Sequence, residues 1–483
     1  MRREVLRMHD VTLVDQGSVQ LEDFSLNVLE GEIVGVLPLD GHGVSAMLDL
    51  LQNNLSLQSG YVYYREELVN CWRSPRMHTN RIAVIKNTST LVETMTVADN
   101  VFVLRPGFRV WMIRPRVLVR QLQPILDELG VHIAADAYAD TLSSFEKVVV
   151  ELVKAVLAGC RLIVLREIST VIGEPELTRL HQILRHYAHE GISFLYVGFH
   201  YEELAQICDR TAIYSNGRIL KCFSPEEGVP PYKEQYVRPV KEQIVRRKQA
   251  LGGHPALEIR NLHGGNVQGL DFSVSAGECV VVQDLQNMLF DHLIDLLSGE
   301  RPIESGEILV DGQRLTKENA REIAILREQP ESSMIFRELS YLDNLCMTAD
   351  HRLPGVWGDR RLRAGLRREW SKRVGAEVFR VPAGLLSRRQ RMNLICQRML
   401  LQRPKVVFSV QPFKGADVGM RMYICDLLKS LLDEDIAVVI LAVNLADSFT
   451  LASRLVRVEQ GVARTYERDE FDRLPFSTPW QQL

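Results

Sequence analysis

The sequence predicts an α/β protein made of two similar halves, each with a parallel sheet covered on both faces. Three observations carry this. Short apolar runs of strand length alternate with longer helical stretches. The same runs return, in the same order, later in the chain. And 483 residues, 46% hydrophobic and 25% charged, are the composition of globular protein, with length for two to four domains at roughly 100–200 residues each.

The repeat shows in short echoes. Gly31-Glu-Ile-Val34 returns as Gly277-Glu-Cys-Val280 and Ser59-Gly60 as Ser305-Gly306, both 246 positions on. Asp99-Asn100 returns as Asp343-Asn344 and Leu142-Ser143 as Leu386-Ser387, both 244 positions on. Chance dipeptides do not hold one offset, with a single two-residue adjustment, over such a span. Gly228-Val-Pro-Pro231 opens a polar stretch with five basic residues between Arg238 and Lys248, and Gly252-Gly253 closes it. That composition suits a tether. The expected domains are residues 1–230 and 255–483, with a linker over 231–254. Each half is long enough for its own core.

Each half reads in the same order. Strands are expected at Glu4–Val14 and Ile33–Leu37, and again at Ala256–Asn261 and Cys279–Gln283. The middle sections, residues 107–158 and 357–402, are charged and helical. Leu162–Leu165 and Val406–Phe408 are continuous apolar runs, as in strands covered on both faces. Helices follow at Glu174–Glu190 and Met420–Asp433, then buried runs at Phe194–Val197 and Ala437–Ala442. Asn216-Gly217 is a two-residue hairpin signal.

Composition also excludes. A formal charge of −3 gives no global pull toward nucleic acid or acidic lipid. No apolar run approaches the ~18 residues of a spanning helix; Ile436–Ala446 has 11, with Asn444 inside it. Met1-Arg-Arg-Glu-Val5 lacks the apolar core of a signal peptide, so a cytoplasmic location is expected. Eight scattered cysteines with no Cys-x-x-Cys pair are expected to be buried thiols in a reducing compartment.

Several segments stand in a recognisable order: Gly31-Glu-Ile33 before a strand-to-helix loop, Met95-Thr-Val-Ala-Asp-Asn100, Leu142-Ser143, Pro404-Lys-Val-Val407, and Gln411-Pro-Phe-Lys-Gly-Ala-Asp-Val-Gly419. Over essentially its whole length the chain resembles the tandem ATP-binding subunits of bacterial ABC importers for ribose, galactose and xylose. The last block, similar to Asp-Glu-Pro-Thr-Arg-Gly-Val-Asp-Val-Gly, is the most specific match. The resemblance implies two tandem ABC-type nucleotide-binding-domain folds. Each would have a RecA-like parallel sheet core, an antiparallel β subdomain and a helical subdomain. It also implies a groove at Asn87–Met95 and Glu328–Arg337 that receives a membrane permease.

The family's chemistry is nearly absent. A phosphate loop reads Gly-x-x-x-x-Gly-Lys-Ser/Thr, because bare N–H groups cradle phosphate and Lys neutralises it. Here the first half has Pro38-Leu-Asp-Gly41-His-Gly43-Val44-Ser45, and the second has Asp284-Leu-Gln-Asn-Met-Leu289-Phe290-Asp291. Where a strand should end Asp-Glu to hold magnesium and orient water, the halves read Arg166-Glu167 and Val410-Gln411. The signature positions read Leu142-Ser-Ser-Phe-Glu146 and Leu386-Ser-Arg-Arg-Gln390, without glycine. Asn87 stands at the Q-loop position, Phe199 at the switch histidine with His200 one place late, and Asp417 at a D-loop-like position. Val14 is nearest to where an aromatic would stack on adenine. A charge-assisted contact contributes roughly 1.5–3 kcal/mol, so losing Lys and Asp together costs about 3–6 kcal/mol, or 10²–10⁴ in affinity.

The vestigial nucleotide residues are therefore Gly41, Gly43, Ser45, Asn87 and Arg166, with Glu167 as a vestige of catalysis and Ser143 and Ser387 of the signature. No metal site and no cofactor are expected, ATP and Mg²⁺ entering only if the first site still binds, with Arg166 as a surrogate cation. The fold-keeping features persist, so the expectation is a folded pseudoenzyme. Its expected partner is a permease-like or regulatory protein at the inner face of the cell membrane. The competing readings are a divergent active ATPase energising sugar import and a soluble regulator binding nucleic acid through basic patches. Arg352–Arg373, with eight basic residues against Asp359 and Glu369, is read as a solvated helical face. His181, His186 and His189 lack i,i+4 metal spacing and are read as a surface helix. Trp111-Met-Ile113 is read as core or permease contact.

Overall fold

The central strand of each half is apolar along its whole length because it has two cores to feed. In Ile33–Pro38, Ile33 and Leu37 face one core while Val34 and Val36 face another. Cys279–Asp284 does the same, with Val281 on one side and Val280 and Val282 on the other. The period of two along a strand makes this division unavoidable.

The computed structural model describes residues 3–15, 17–73, 80–102, 114–224, 255–349, 352–445, 448, 450–459 and 462–473. These form two compact units, divided in sequence at residues 235 and 236. The expected linker over 231–254 and the Trp111–Ile113 cluster lie outside the described residues.

The first unit has a six-stranded sheet in the spatial order Arg218–Phe223, Arg210–Ser215, Ile33–Pro38, Ser193–Val197, Leu162–Arg166, Ile82–Lys86. The five strands beyond the edge pair in parallel, and Arg218–Phe223 returns antiparallel through the Asn216-Gly217 turn. A four-stranded antiparallel sheet, ordered Ser18–Leu29, Glu4–Asp15, Ser59–Tyr64, Glu67–Cys71, covers one face. Helices Pro115–Glu128, Ser144–Leu157 and Glu174–His189 pack into the core on the other.

The second unit repeats this. Its six strands run Val462–Glu467, Arg454–Glu459, Cys279–Asp284, Ala437–Ala442, Val406–Val410, Ile323–Leu326, and its antiparallel sheet runs Val267–Ser275, Pro255–Gly264, Ser305–Val310, Gln313–Arg314. Helices Arg360–Val374, Arg388–Gln402 and Val418–Asp433 supply its helical core. One ion pair recurs in each unit: Arg210 Nε donates to Glu32 at 2.7 Å and Arg454 Nε to Glu278 at 2.6 Å. Each carboxylate also accepts a backbone N–H, from Leu29 or Ser275 at 2.8 Å, closing the turn before the central strand.

Two expectations need correction. Seven cysteines are buried, but Cys222 is exposed, because the edge strand Arg218–Phe223 leaves its outer face uncovered. The three histidines do not share a surface. His186 and His189 are exposed, whereas His181 turns inward, its ring edge-on to Tyr196 at 5.9 Å and its Nε2 buried with no hydrogen-bond partner among the described residues. Burial, with the nearby Arg185 charge, pushes His181 down to about 4. The unfolded chain takes this proton near pH 6.5 and the folded chain only near 4, so folding stability falls as pH drops through that window. From pH 7 to 5 the first unit is expected to lose about 1–2 kcal/mol through His181. Urea titrations of His181→Gln should show that loss removed; an unchanged pH slope would refute it.

Candidate functional site

In the first unit the loop after Ile33–Pro38 leads into helix Val44–Asn53. Gly43 caps that helix with φ 73°, a left-handed geometry open to glycine. A Cβ there would collide with the Gln20 carbonyl and the Tyr214 hydroxyl. The loop is tied down on all sides. Asp40 accepts the His42 N–H at 3.1 Å, the Ser215 hydroxyl at 2.6 Å and the Asn216 N–H at 2.9 Å. Tyr214 donates its hydroxyl to the His42 carbonyl at 2.5 Å, and the His42 ring meets Val19 O at 2.7 Å. Burial, with the Asp40 charge nearby, holds the Tyr214 hydroxyl well above its ordinary pKa, so it stays protonated.

Beside this loop the structure gathers four of the singled-out residues. Arg166, at the end of its strand, donates from Nε to Glu167 at 3.0 Å and from a terminal nitrogen to the Ser45 hydroxyl at 3.1 Å. Asn87 reaches Glu167 at 3.4 Å and Thr170 at 3.5 Å. Glu167 is 4% exposed and takes a left-handed backbone, φ 56°. A guanidinium thus lies between a loop hydroxyl and a buried carboxylate. The guanidinium alone would repel a divalent ion about 4 Å away by roughly 8 kcal/mol at an effective dielectric of ~20, an amount that the paired Glu167 offsets in part. Gly41 lies in the loop and is exposed.

The second unit solves the same turn with one residue. The buried carboxylate of Asp284 accepts the backbone N–H groups of Gln286 at 3.0 Å, Met288 at 2.6 Å and Leu289 at 2.8 Å. Donors that a phosphate loop offers to its ligand are here held by the chain's own anion. Gln411, the counterpart of Glu167 at an offset of 244, is left-handed (φ 42°) and donates to Asn287 at 2.9 Å. At the start of the segment Glu328–Arg337, Glu328 pairs with Lys414 at 2.7 Å.

The signature serines are helix caps. Ser143 accepts the Glu146 N–H at 3.3 Å while Glu146 accepts the Ser143 N–H at 2.8 Å, and Ser387 and Gln390 repeat this at 3.2 and 2.9 Å. Both are full capping boxes, which stabilise a helix start by about 1 kcal/mol. Asp417 caps Val418–Asp433 by accepting the Met420 N–H at 2.8 Å, and His200 stands at the start of Tyr201–Ile207.

Four residues that sequence reasoning missed or misjudged shape the partner-groove segments and the second loop. Asn100 is fully buried and bonds Val92 through both its N–H and its carbonyl, at 2.8 and 3.0 Å. Asn344 does the same for Phe336, both at 2.9 Å. These asparagines are pins rather than helix starts, since Thr96 and Ser340 carry the capping bonds. Glu151, buried, accepts from Ser89 at 2.9 Å and the Thr90 N–H at 2.5 Å. Asp284 had a signal of its own: an Asp closing an apolar strand before a glycine-free loop is an Asx-turn candidate.

The comparisons follow the fold. A family model for ABC transporters matches residues 21–170. A ribose import ATP-binding protein of Rubrobacter xylanophilus is 25% identical, over 95% of this chain and 94% of its own. An arabinose import ATP-binding protein of Burkholderia ambifaria is 26% identical, over 95% of this chain and 90% of its own. Among solved structures, an archaeal ribosome recycling factor complexed with a ribosomal stalk protein matches with a TM-score of 0.57 at 14% identity, over 95% and 89% of the two chains, a likeness of fold.

Asp284→Ala is expected to destabilise the second unit by about 2–4 kcal/mol, since it strips a charge-assisted acceptor from three N–H groups. Asp291→Ala, farther along and exposed, should stay within about 0.5 kcal/mol. Denaturant titration compares the two; equal effects would refute the role given to Asp284.

Proposed function

Taking as premise that the chain is a tandem ABC ATP-binding-domain protein with relatives among ribose and arabinose import ATP-binding proteins, we propose that it is a non-catalytic member of that group. It would sit in the cytoplasm, peripheral at the inner face of the membrane, and bind a permease-like or regulatory partner without turning over ATP. Among the described residues no helix is long and apolar enough to cross a membrane.

The observation that carries this reading is the occupation of both strand-to-helix loops by the chain's own groups. Asp284 takes three N–H donors in the second unit, and Arg166 takes the Ser45 hydroxyl and Glu167 in the first. The family's Mg²⁺–nucleotide does not fit this set. A cation already lies between the hydroxyl and the carboxylate, and an anion already holds the other loop. No reaction step is derived through either group.

The partner surface is supported separately. Phe336 and Leu385 are 55% and 75% exposed, and Leu339 lies between them in sequence. Gly384 N–H donates to Arg337 O at 2.8 Å and Ala383 N–H to Leu339 O at 3.0 Å, so the two segments adjoin. Three exposed apolar side chains on adjoining, pinned segments mark an interaction surface. Of the three, Phe336 belongs to the segment Glu328–Arg337 expected to receive a permease, and Leu339 and Leu385 lie outside it.

Calorimetry on the full chain tests the first part: no heat is expected at millimolar ATP, with or without Mg²⁺. Micromolar Mg²⁺-dependent binding, or turnover that disappears in Glu167→Gln, would return the active-ATPase reading to first place. Pull-down from native membranes tests the second. Wild type is expected to recover a membrane protein and Phe336→Asp/Leu385→Asp to lose it with unchanged unfolding; recovery of none by wild type would count against the partner.

A further inference from the structure

The second unit contains a cavity of about 360 Å³ that uses no residue of the strand-to-helix loop. Trp370, Leu353, Leu400 and Leu401 give it an apolar wall, and Arg352, Arg373 and Arg403 bring three guanidinium groups to it. Two carboxylates, Glu369 and Glu434, complete the lining. Three cations against two anions leave one positive charge without a counterion in the lining.

The fold does not need these groups. At the offset of 244, Trp370, Arg373 and Arg403 stand where the first unit has Leu126, Leu129 and Gly159. Leu126 is fully buried in the first helical core, so an apolar side chain suffices there. Gly159 and Arg403 both follow a long helix and both are left-handed, with φ 80° and 48°. Glycine is the unstrained choice at that position. The second unit instead holds a long cationic side chain there, against the backbone preference.

The existing ion pairs leave these cations available. Arg373 lies 3.7 Å from Glu369 and Arg403 lies 3.3 Å from Glu434, all four side chains about half exposed. Exposed pairs of this kind hold weakly and exchange with solvent ions. The Arg373 guanidinium also lies 5.2 Å from the Trp370 ring centre, where the π face favours it. Trp370 is 5% exposed, and its indole nitrogen has no hydrogen-bond partner among the described residues.

The geometry points to a binding site for a small organic anion with a planar or apolar body. A carboxylate or phosphate head would meet the guanidinium groups of Arg352, Arg373 and Arg403. The body would lie against Trp370 and the three leucines. Guanidinium forks match both head groups in bidentate geometry, and the volume suits a compact molecule. The site is independent of the nucleotide reading, because no residue of either loop takes part.

The test is calorimetric titration of the full chain with benzoate and with phenyl phosphate, using inorganic phosphate as the head group alone. One-to-one saturable binding is expected for at least one of the two, about tenfold or more tighter than inorganic phosphate because the ring is buried. Preference between them identifies the head group. Arg403→Gly, which installs the first unit's residue and relieves the left-handed backbone, should fold at least as well as wild type and weaken binding about tenfold or more. Arg373→Leu should do the same to binding. Absence of saturable binding to either probe, affinity unchanged in both variants, or inorganic phosphate binding as tightly as phenyl phosphate would each overturn the proposal.

Discussion

Where a buried strand turns into a helix, several backbone N–H groups point into the turn with no partner in either element, and something must accept them. In the second unit that acceptor is a single carboxylate. With Gln286, Met288 and Leu289 all bonded to Asp284, Asn287 is driven to a left-handed backbone, φ 55°. Its amide oxygen then meets Gln411, which follows Val406–Val410, two strands away in the sheet. One charge therefore sets the turn, the first turn of helix Phe290–Ser298 and a link across the sheet. The first unit shares the same work between two residues. Asp40 ties its loop to the Ser215-Asn216 hairpin, and Tyr214 holds the His42 carbonyl.

The same economy governs the charges beside the loops. Glu167 is almost fully buried, and a carboxylate in that setting needs a cation or several donors. The residue before it supplies one, and Arg166 extends on to Ser45. At the matching position the second unit carries neutral Gln411, preceded by buried Val410. A neutral amide beside an apolar residue calls for no counter-charge. Each unit is internally consistent in its charges.

Much of the fold was legible from sequence because its signals are collective. The alternation of apolar runs with helices, and the offsets of 246 and 244, each draw on many residues. The continuous runs at Leu162–Leu165 and Val406–Phe408 became strands of five residues, Leu162–Arg166 and Val406–Val410. The candidate site was legible in part. Ser45, Asn87, Arg166 and Glu167 were singled out from motif positions, and the structure brings them together. Ser143, Ser387 and Asp417 were read as remnants of a ligand site, and they serve as helix caps. The roles of Asp284, Asn100, Asn344 and Glu151 were not legible because most of their partners are backbone atoms, and those of Glu151 lie about sixty residues away. A backbone amide has no identity in a sequence, so a side chain that binds one leaves little trace. His181 misled for a related reason: spacing along a helix says which side a residue is on, not which neighbour lies there.

The pins at Asn100 and Asn344 have a consequence for how such a protein can change over time. Both hold their segments through main-chain atoms, with no use of the side chains they display. The shape of the segment is thereby separated from its chemistry. Val92 in one unit and Phe336 in the other sit on the same backbone frame while presenting different surfaces. A lineage with this arrangement can replace the displayed residues one by one, exploring new associates, without re-inventing the loop each time.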